Sequence, residues 1–214
     1  MFDAALQPWL RRALDPPARR LAAHGVEADT VTLAGFGLGV AAAAALSFGA
    51  VKIGLALILC NRLADGLDGA LARVRTPTAR GAFLDIALDF VFYALVPLGF
   101  ALANPSRDAL PAALLLATFI GTESSFLAFA AVAAGCGLKA SAFPTKGLYY
   151  LGGFTEGGET IAVFVAMCLW PRAFAALAYV YAALCAITTL TRWRAGWFAF
   201  MPPDLHDPSR RASE

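Results

Sequence analysis

The chain reads as an all-α integral membrane protein: six transmembrane helices with an N-terminal amphipathic juxtamembrane helix. Three observations predict this. Of its 214 residues, 59% are hydrophobic and only 15% charged, against about half and about a quarter in soluble domains. Mean hydropathy is +0.66. The apolar residues also fall into runs close to the roughly 20 residues that cross a bilayer as a helix.

Taken in chain order, residues 1–28 form an amphipathic interfacial segment. Phe2, Leu6, Trp9, Leu10, Ala13 and Leu14 recur at helical spacing with Arg11 and Arg12 alongside. That pattern suits a short helix lying in the headgroup region, and Pro16-Pro17 should end it. The stretch lacks the basic start and unbroken apolar run of a cleavable signal peptide.

Residues 29–195 then supply six spans. The first opens at "ADTVTLAGFGLG", with Asp29 or Thr30 in position to cap it. The second covers about 53–72 and the third about 83–102. The fourth follows Pro111 and ends near Ala134. The fifth begins after "GGFTEGGET" and stops at Pro171, and the sixth covers about 174–190. Residues 196–214, which include "MPPDLHDPSRRASE", are polar and proline-rich and read as a disordered cytoplasmic tail.

An even number of spans returns both termini to one side, and the basic residues test that arrangement. Arg11, Arg12, Arg19, Arg20, Arg73, Arg75, Arg80, Lys139, Lys146, Arg192, Arg194, Arg210 and Arg211 share one side, which is thirteen of the 17 Lys and Arg. The positive-inside rule makes that side cytoplasmic. A small, alanine-rich chain of this kind suits a bacterial inner membrane.

Several functions are excluded early. A net charge of +2 without a basic stripe gives nucleic acid nothing to bind. Cys60, Cys136, Cys168 and Cys185 are scattered and form no metal-ligand spacing, and His24 and His206 lie near opposite ends.

The informative stretch is "NRLADGLDGALARVRTPTARGAFLDIALD", residues 61–89. Asn61, Asp65, Asp68 and Ala72 fall on one helical face, and Asp85 and Asp89 share a face of the next helix. A short connection makes these two helices antiparallel neighbours, so their carboxylates face one another. A charge at the bilayer centre costs about 2.5–3.5 kcal/mol on insertion scales. Four acids together therefore require a cation, and oxygen-only donors favour Mg²⁺, Mn²⁺ or Ca²⁺ over zinc. A metal-bound diphosphate at the membrane surface fits such a site. Gly66, Gly69, Ala70 and Ala72 leave the backbone beside the acids open to a ligand, and Arg73 is the cation best positioned for phosphate. Lys139, Lys146, Arg192 and Arg194, at the cytoplasmic edge, suit either an acceptor phosphate or simple membrane anchoring. Glu123, inside the fourth span, is a candidate cavity-lining residue. Glu156 and Glu159 open the fifth span, where carboxylates suit a helix N-terminus.

These residues closely resemble the signature of the CDP-alcohol phosphatidyltransferase family, D-x-x-D-G-x-x-A-R followed by G-x-x-x-D-x-x-x-D. Here it reads Asp65, Asp68-Gly69, Ala72-Arg73, then Gly81, Asp85 and Asp89. The resemblance covers about residues 1–195. Two departures stand out: seven residues separate Arg73 from Gly81 where the family pattern usually has eight, and Ala28 and Asp29 occupy positions where many members carry Pro and Asn.

The resemblance implies an enzyme of phospholipid biosynthesis, a homodimer in the inner membrane with its site facing the cytoplasm. Two Mg²⁺ or Mn²⁺ ions would be held by Asp65, Asp68, Asp85 and Asp89, and cytidine would lie against Gly69, Ala72 and Arg73. Asp89 would be the general base on an acceptor hydroxyl, with release of CMP. The donor would be a CDP-linked lipid, CDP-diacylglycerol or another CDP-alcohol, and the acceptor a small hydroxyl compound. Two other classes compete: a divalent-cation transporter, whose carboxylates would line a pathway, and a membrane prenyltransferase, which also holds metal-diphosphate on aspartates.

Overall fold

The computed structural model describes residues 2–136 and 155–201, with side chains from residue 12 onward. Lys139, Lys146 and residues 202–214 of the tail lie outside the described residues. Seven α-helices appear among those described, and no strand. They are α1 (Phe2–Ala23), α2 (Ala28–Ser47), α3 (Val51–Val74), α4 (Ala79–Ala103), α5 (Pro105–Gly135), α6 (Gly157–Leu169) and α7 (Phe174–Ala199).

Helix α1 does not stop at Pro16-Pro17 but continues to Ala23. The reason is tertiary: Leu14 and Ala18 are buried against Ala70 and Leu71 of α3, and that packing holds the chain helical through the prolines. The turn after it uses Gly25 at φ 82, with Val26 N–H donating to Leu21 C=O at 3.1 Å.

Helix α2 is the bundle's spacer. It buries Gly35, Gly39, Ala42, Ala43 and Leu46. A methyl group on Gly39 would lie 2.6 Å from Phe92 of α4, and one on Gly35 would lie 2.9 Å from the Ala64 methyl of α3. Small residues on α2 therefore bring both acidic helices onto it. Asp29 does not cap α2: the N-cap is Glu27, with no side-chain bond, and Asp29 Oδ2 instead accepts from Arg80 Nε at 2.6 Å.

Helices α3 and α4 are joined by residues 75–78, and Thr78 caps α4 by accepting from Gly81 N–H at 2.9 Å. The two helices are consecutive, but they do not pack backbone to backbone as expected. Both lean on α2, and a cleft opens between their acidic faces. Farther along, α4 packs on α5 and α5 on α7. Phe92, Phe119, Phe164 and Tyr181 make edge-on contacts, and Phe100 stacks on Phe174 at 4.6 Å.

Other boundaries differ from expectation in instructive ways. Helix α5 begins at Pro105, with Pro111 inside it rather than before it. Pro105 suits the first helical position, where the missing N–H bonds nothing. Helix α7 runs to Ala199, into the segment assigned to the tail.

Six spans were expected; four helical segments are long and apolar enough to cross a membrane by length and composition: α2, α4, α5 and the stretch Pro171–Ala199. Helix α3 is long enough, but it carries Lys52, Arg62, Asp65, Asp68 and Arg73. Helix α6 has only 13 residues, about 20 Å of rise against a hydrocarbon core of about 30 Å. Leu110, Ile120, Val180 and Leu190 are each more than half exposed. Such an apolar exterior suits lipid.

Candidate metal centre

The cleft between α3 and α4 is lined by Asp65, Asp68, Asp85 and Asp89, with Asn61, Arg62 and Phe92 at its inner end and Thr32 and Gly35 of α2 along one wall. One carboxylate oxygen from each of Asp65, Asp68 and Asp85 lies within 4.8 Å of the others. Two oxygens bound to one divalent cation at about 2.0–2.6 Å can be at most about 4–5 Å apart. The trio is therefore close to the spacing of a single ion's shell and needs only slight closure.

Asp68 supplies a second test of fit. It is 5% exposed, and its Oδ2 is buried without a hydrogen-bond partner. A buried carboxylate oxygen left unpaired costs on the order of 1–3 kcal/mol or more. Asp65 and Asp85 nearby add like-charge repulsion. A hard dication offsets both terms, and the donors are all oxygen. The residues fit the metal that their types and spacing predicted.

Asp89 lines the same cleft but is not one of that trio. Its Oδ1 accepts from Arg62 Nη2 at 2.6 Å, and Arg62 Nη1 lies 3.6 Å from Asp65 Oδ2. The sequence signature assigns no part to Arg62, although its position three residues before Asp65 puts both on one side of α3.

The other sequence-predicted residues are distributed differently. Gly69, Ala72 and Arg73 follow the acids along α3 but do not line the cleft. Arg73 Nη2 turns toward Asp15 Oδ1 of α1 at 3.8 Å, and both border a separate depression shared with Arg19 and Val74. Arg192 is not at an open edge: it is buried, and its Nη1 donates to Thr122 C=O of α5 at 3.0 Å. Its guanidinium packs 5.9 Å from the Phe126 ring, so the side chain folds inward onto α5. Arg194 is exposed and packs near the Phe198 ring at 5.8 Å. Glu123 is partly buried, within α5. Glu156 occupies the N-cap of α6 without a side-chain cap bond, and Glu159 sits in its first turn.

No protein-family model matches the chain. Individual proteins do. The chain is 51% identical over 197 residues to the inner membrane protein YnjF of Escherichia coli, covering 92% of this chain and 96% of that protein. It is 42% identical over 94 residues to the archaetidylinositol phosphate synthase of Methanothermobacter thermautotrophicus, covering 44% of this chain and 47% of that protein. Among solved structures, the phosphatidylinositol phosphate synthase of Mycobacterium tuberculosis with CDP-DAG bound superposes with a TM-score of 0.71 at 27% identity, covering 87% of this chain and 94% of that one. The same enzyme in complex with manganese and citrate superposes with a TM-score of 0.69 at 27% identity, covering 86% and 88%.

Proposed function

We propose a specific reaction for this chain, which belongs to the CDP-alcohol phosphatidyltransferase family. It is a membrane transferase of phospholipid biosynthesis. In our reading it moves the phosphatidyl group of CDP-diacylglycerol onto a hydroxyl of a small polyol phosphate, releasing CMP. The observation that carries this reading is the convergence of Asp65, Asp68 and Asp85, together with a buried Asp68 oxygen that has no hydrogen-bond partner. The donor is supported by the related synthase with CDP-DAG bound. The acceptor class is supported by the two relatives that are inositol phosphate lipid synthases.

Asp65, Asp68 and Asp85 would hold the metal, with Asp89 completing the acidic set. We take the ions to be Mg²⁺ or Mn²⁺, two per chain. Held there, they would neutralise the donor's two phosphates and the departing CMP.

The protein's own part is positioning and proton transfer. Asp89 accepts the acceptor's hydroxyl proton as that oxygen attacks the lipid-side phosphorus, and the bond from phosphorus to the CMP oxygen breaks. A positioned base of this kind contributes about 10²–10⁴-fold. Gly69, Ala72 and Arg73 would border the cytidine, and the acceptor phosphate would meet basic residues drawn from Lys139, Lys146, Arg192 and Arg194. Of the two described members of that set, Arg192 packs inward on α5 and Arg194 is exposed.

We further propose that α3 and α6 complete a six-span arrangement. Packing of α3 on α2 and of α6 in the aromatic core supports that view. The positive-inside asymmetry then puts the cleft on the cytoplasmic face. Residues 1–28 would lie at that surface, and the chain would act as a homodimer, as family resemblance implies.

CMP release by the purified protein in detergent tests this reading, with CDP-diacylglycerol, Mg²⁺ or Mn²⁺, and a panel of acceptors led by inositol phosphate. Release that needs metal, one acceptor and Asp89, and is lost in Asp89→Asn, is expected. No release with any acceptor, together with no metal-dependent binding of CDP-diacylglycerol, would overturn it.

A further inference from the structure

Arg62 makes polar contacts to Asp89, Asp65, Tyr93 and Asn61 around the cleft, and nothing in the family signature accounts for it. All three guanidinium nitrogens are engaged. Nη2 meets Asp89 Oδ1 at 2.6 Å, Nη1 lies 3.6 Å from Asp65 Oδ2 and 3.5 Å from the Tyr93 hydroxyl, and Nε donates to Asn61 Oδ1 at 2.8 Å. The Arg62 Cζ lies over the Phe92 ring, 4.5 Å from the ring centre. Asn61 is itself tied to α2, its Nδ2 donating to Gly35 C=O at 2.8 Å. The result is a continuous chain of contacts from α2 through α3 to α4 at the inner end of the cleft.

We propose that Arg62 is the resident cation of the acidic site. It is a positioning residue that holds Asp89 by Oδ1, touches Asp65 only at 3.6 Å, and leaves the other oxygens of Asp65, Asp68 and Asp85 to the divalent cations. The inference rests on the metal reading of the site given above. Four carboxylates facing across a cleft repel one another, and one fixed positive charge removes a quarter of that charge before any metal arrives. The fork of a guanidinium can bond two acids, an amide oxygen and a hydroxyl while stacking on a ring. A lysine ammonium keeps the charge and loses that geometry. Asp89 is thereby oriented from α3 through its Oδ1.

The proposal predicts opposite signs for two measurements that a merely structural arginine would move together. Full-length protein in detergent is titrated with Mn²⁺ and followed by electron paramagnetic resonance, without donor or acceptor, and thermal unfolding is recorded with and without Mn²⁺. In Arg62→Gln the metal-free protein should unfold several degrees lower, yet Mn²⁺ should bind about tenfold or more tightly, because a cation a few ångströms from the ion has gone. Saturating Mn²⁺ should restore the unfolding temperature. Turnover should fall with the acceptor KM unchanged, because Asp89 is no longer oriented. Arg62→Lys should keep near-native Mn²⁺ affinity while still losing turnover.

A lower unfolding temperature with unchanged or weaker Mn²⁺ binding in Arg62→Gln would overturn the proposal and leave Arg62 a packing residue. Absence of Mn²⁺ binding in the unsubstituted protein would instead remove the metal reading itself, so the two failures are distinguishable.

Discussion

Two buried aspartates sit in different parts of this bundle, and their surroundings have opposite character. Asp108, 1% exposed in the first turn of α5, has both oxygens satisfied by Arg107, from Nε at 2.8 Å and Nη2 at 2.7 Å. Arg107 also reaches Pro171 C=O at 3.3 Å, which ties the start of α5 to the turn before α7. Asp68, 5% exposed in α3, has an oxygen with no partner and two further carboxylates close by. A buried charge that is fully bonded is a joint; one left open among like charges is a ligand. Burial alone would have scored the two alike.

Removing each charge should separate them, beginning with the largest effect. Asp68→Asn should lower phosphatidyl transfer by about 10³-fold or more, since metal stabilisation of this kind is worth several kcal/mol. The metal-free protein should be no less stable, because a repelling charge has gone. What should disappear is the rise in unfolding temperature on adding Mn²⁺. Asp108→Asn should do the reverse: a lower unfolding temperature by a few degrees, with turnover per folded molecule and Mn²⁺ affinity unchanged. Unfolding curves with and without Mn²⁺ for both variants check the pair. A stability loss in Asp68→Asn as large as that in Asp108→Asn would erase the distinction.

The readable part of this contrast was the part carried by spacing. Offsets of three and four residues along α3 and α4 announced which acids share a face, and three of them converge. What spacing does not encode is the distance between helices. That is set by Gly35 and Gly39 on α2, which draw α3 and α4 onto a third helix and open the cleft. The same gap in information hid Arg62, whose main partner lies 27 positions away. It also misdirected Arg192, whose charge suggested an edge while its backbone acceptor, Thr122, lies 70 positions away inside the bundle. Pro16-Pro17 misled for a related reason: proline disfavours a helix interior locally, but burial of Leu14 and Ala18 on α3 overrides it.

The smallest expected effect lies where the two departures from the family pattern meet. Arg80 is the last residue of the shortened stretch between Arg73 and Gly81, and it pairs with Asp29 at 2.6 Å. A methyl group on Gly81 would lie 3.0 Å from Asp29 Oδ1, so the chain passes close to that carboxylate. The pair pins the first turn of α4, five residues before Asp85, against the start of α2. Arg80 is 73% exposed, so the bond by itself should contribute only about 0.5 kcal/mol. Its leverage is on position, because Asp85 must reach across to Asp65 and Asp68 from this end of α4. Arg80→Ala and Asp29→Asn should each weaken Mn²⁺ binding about twofold, the affinity equivalent of that energy, with little change in unfolding temperature. The double variant should be no weaker than either single one, as coupled partners require. A Mn²⁺ titration of the three variants decides this. Unchanged affinity in both singles would mean that the Thr78 cap alone sets the start of α4, and that the missing loop residue is absorbed without help from Asp29.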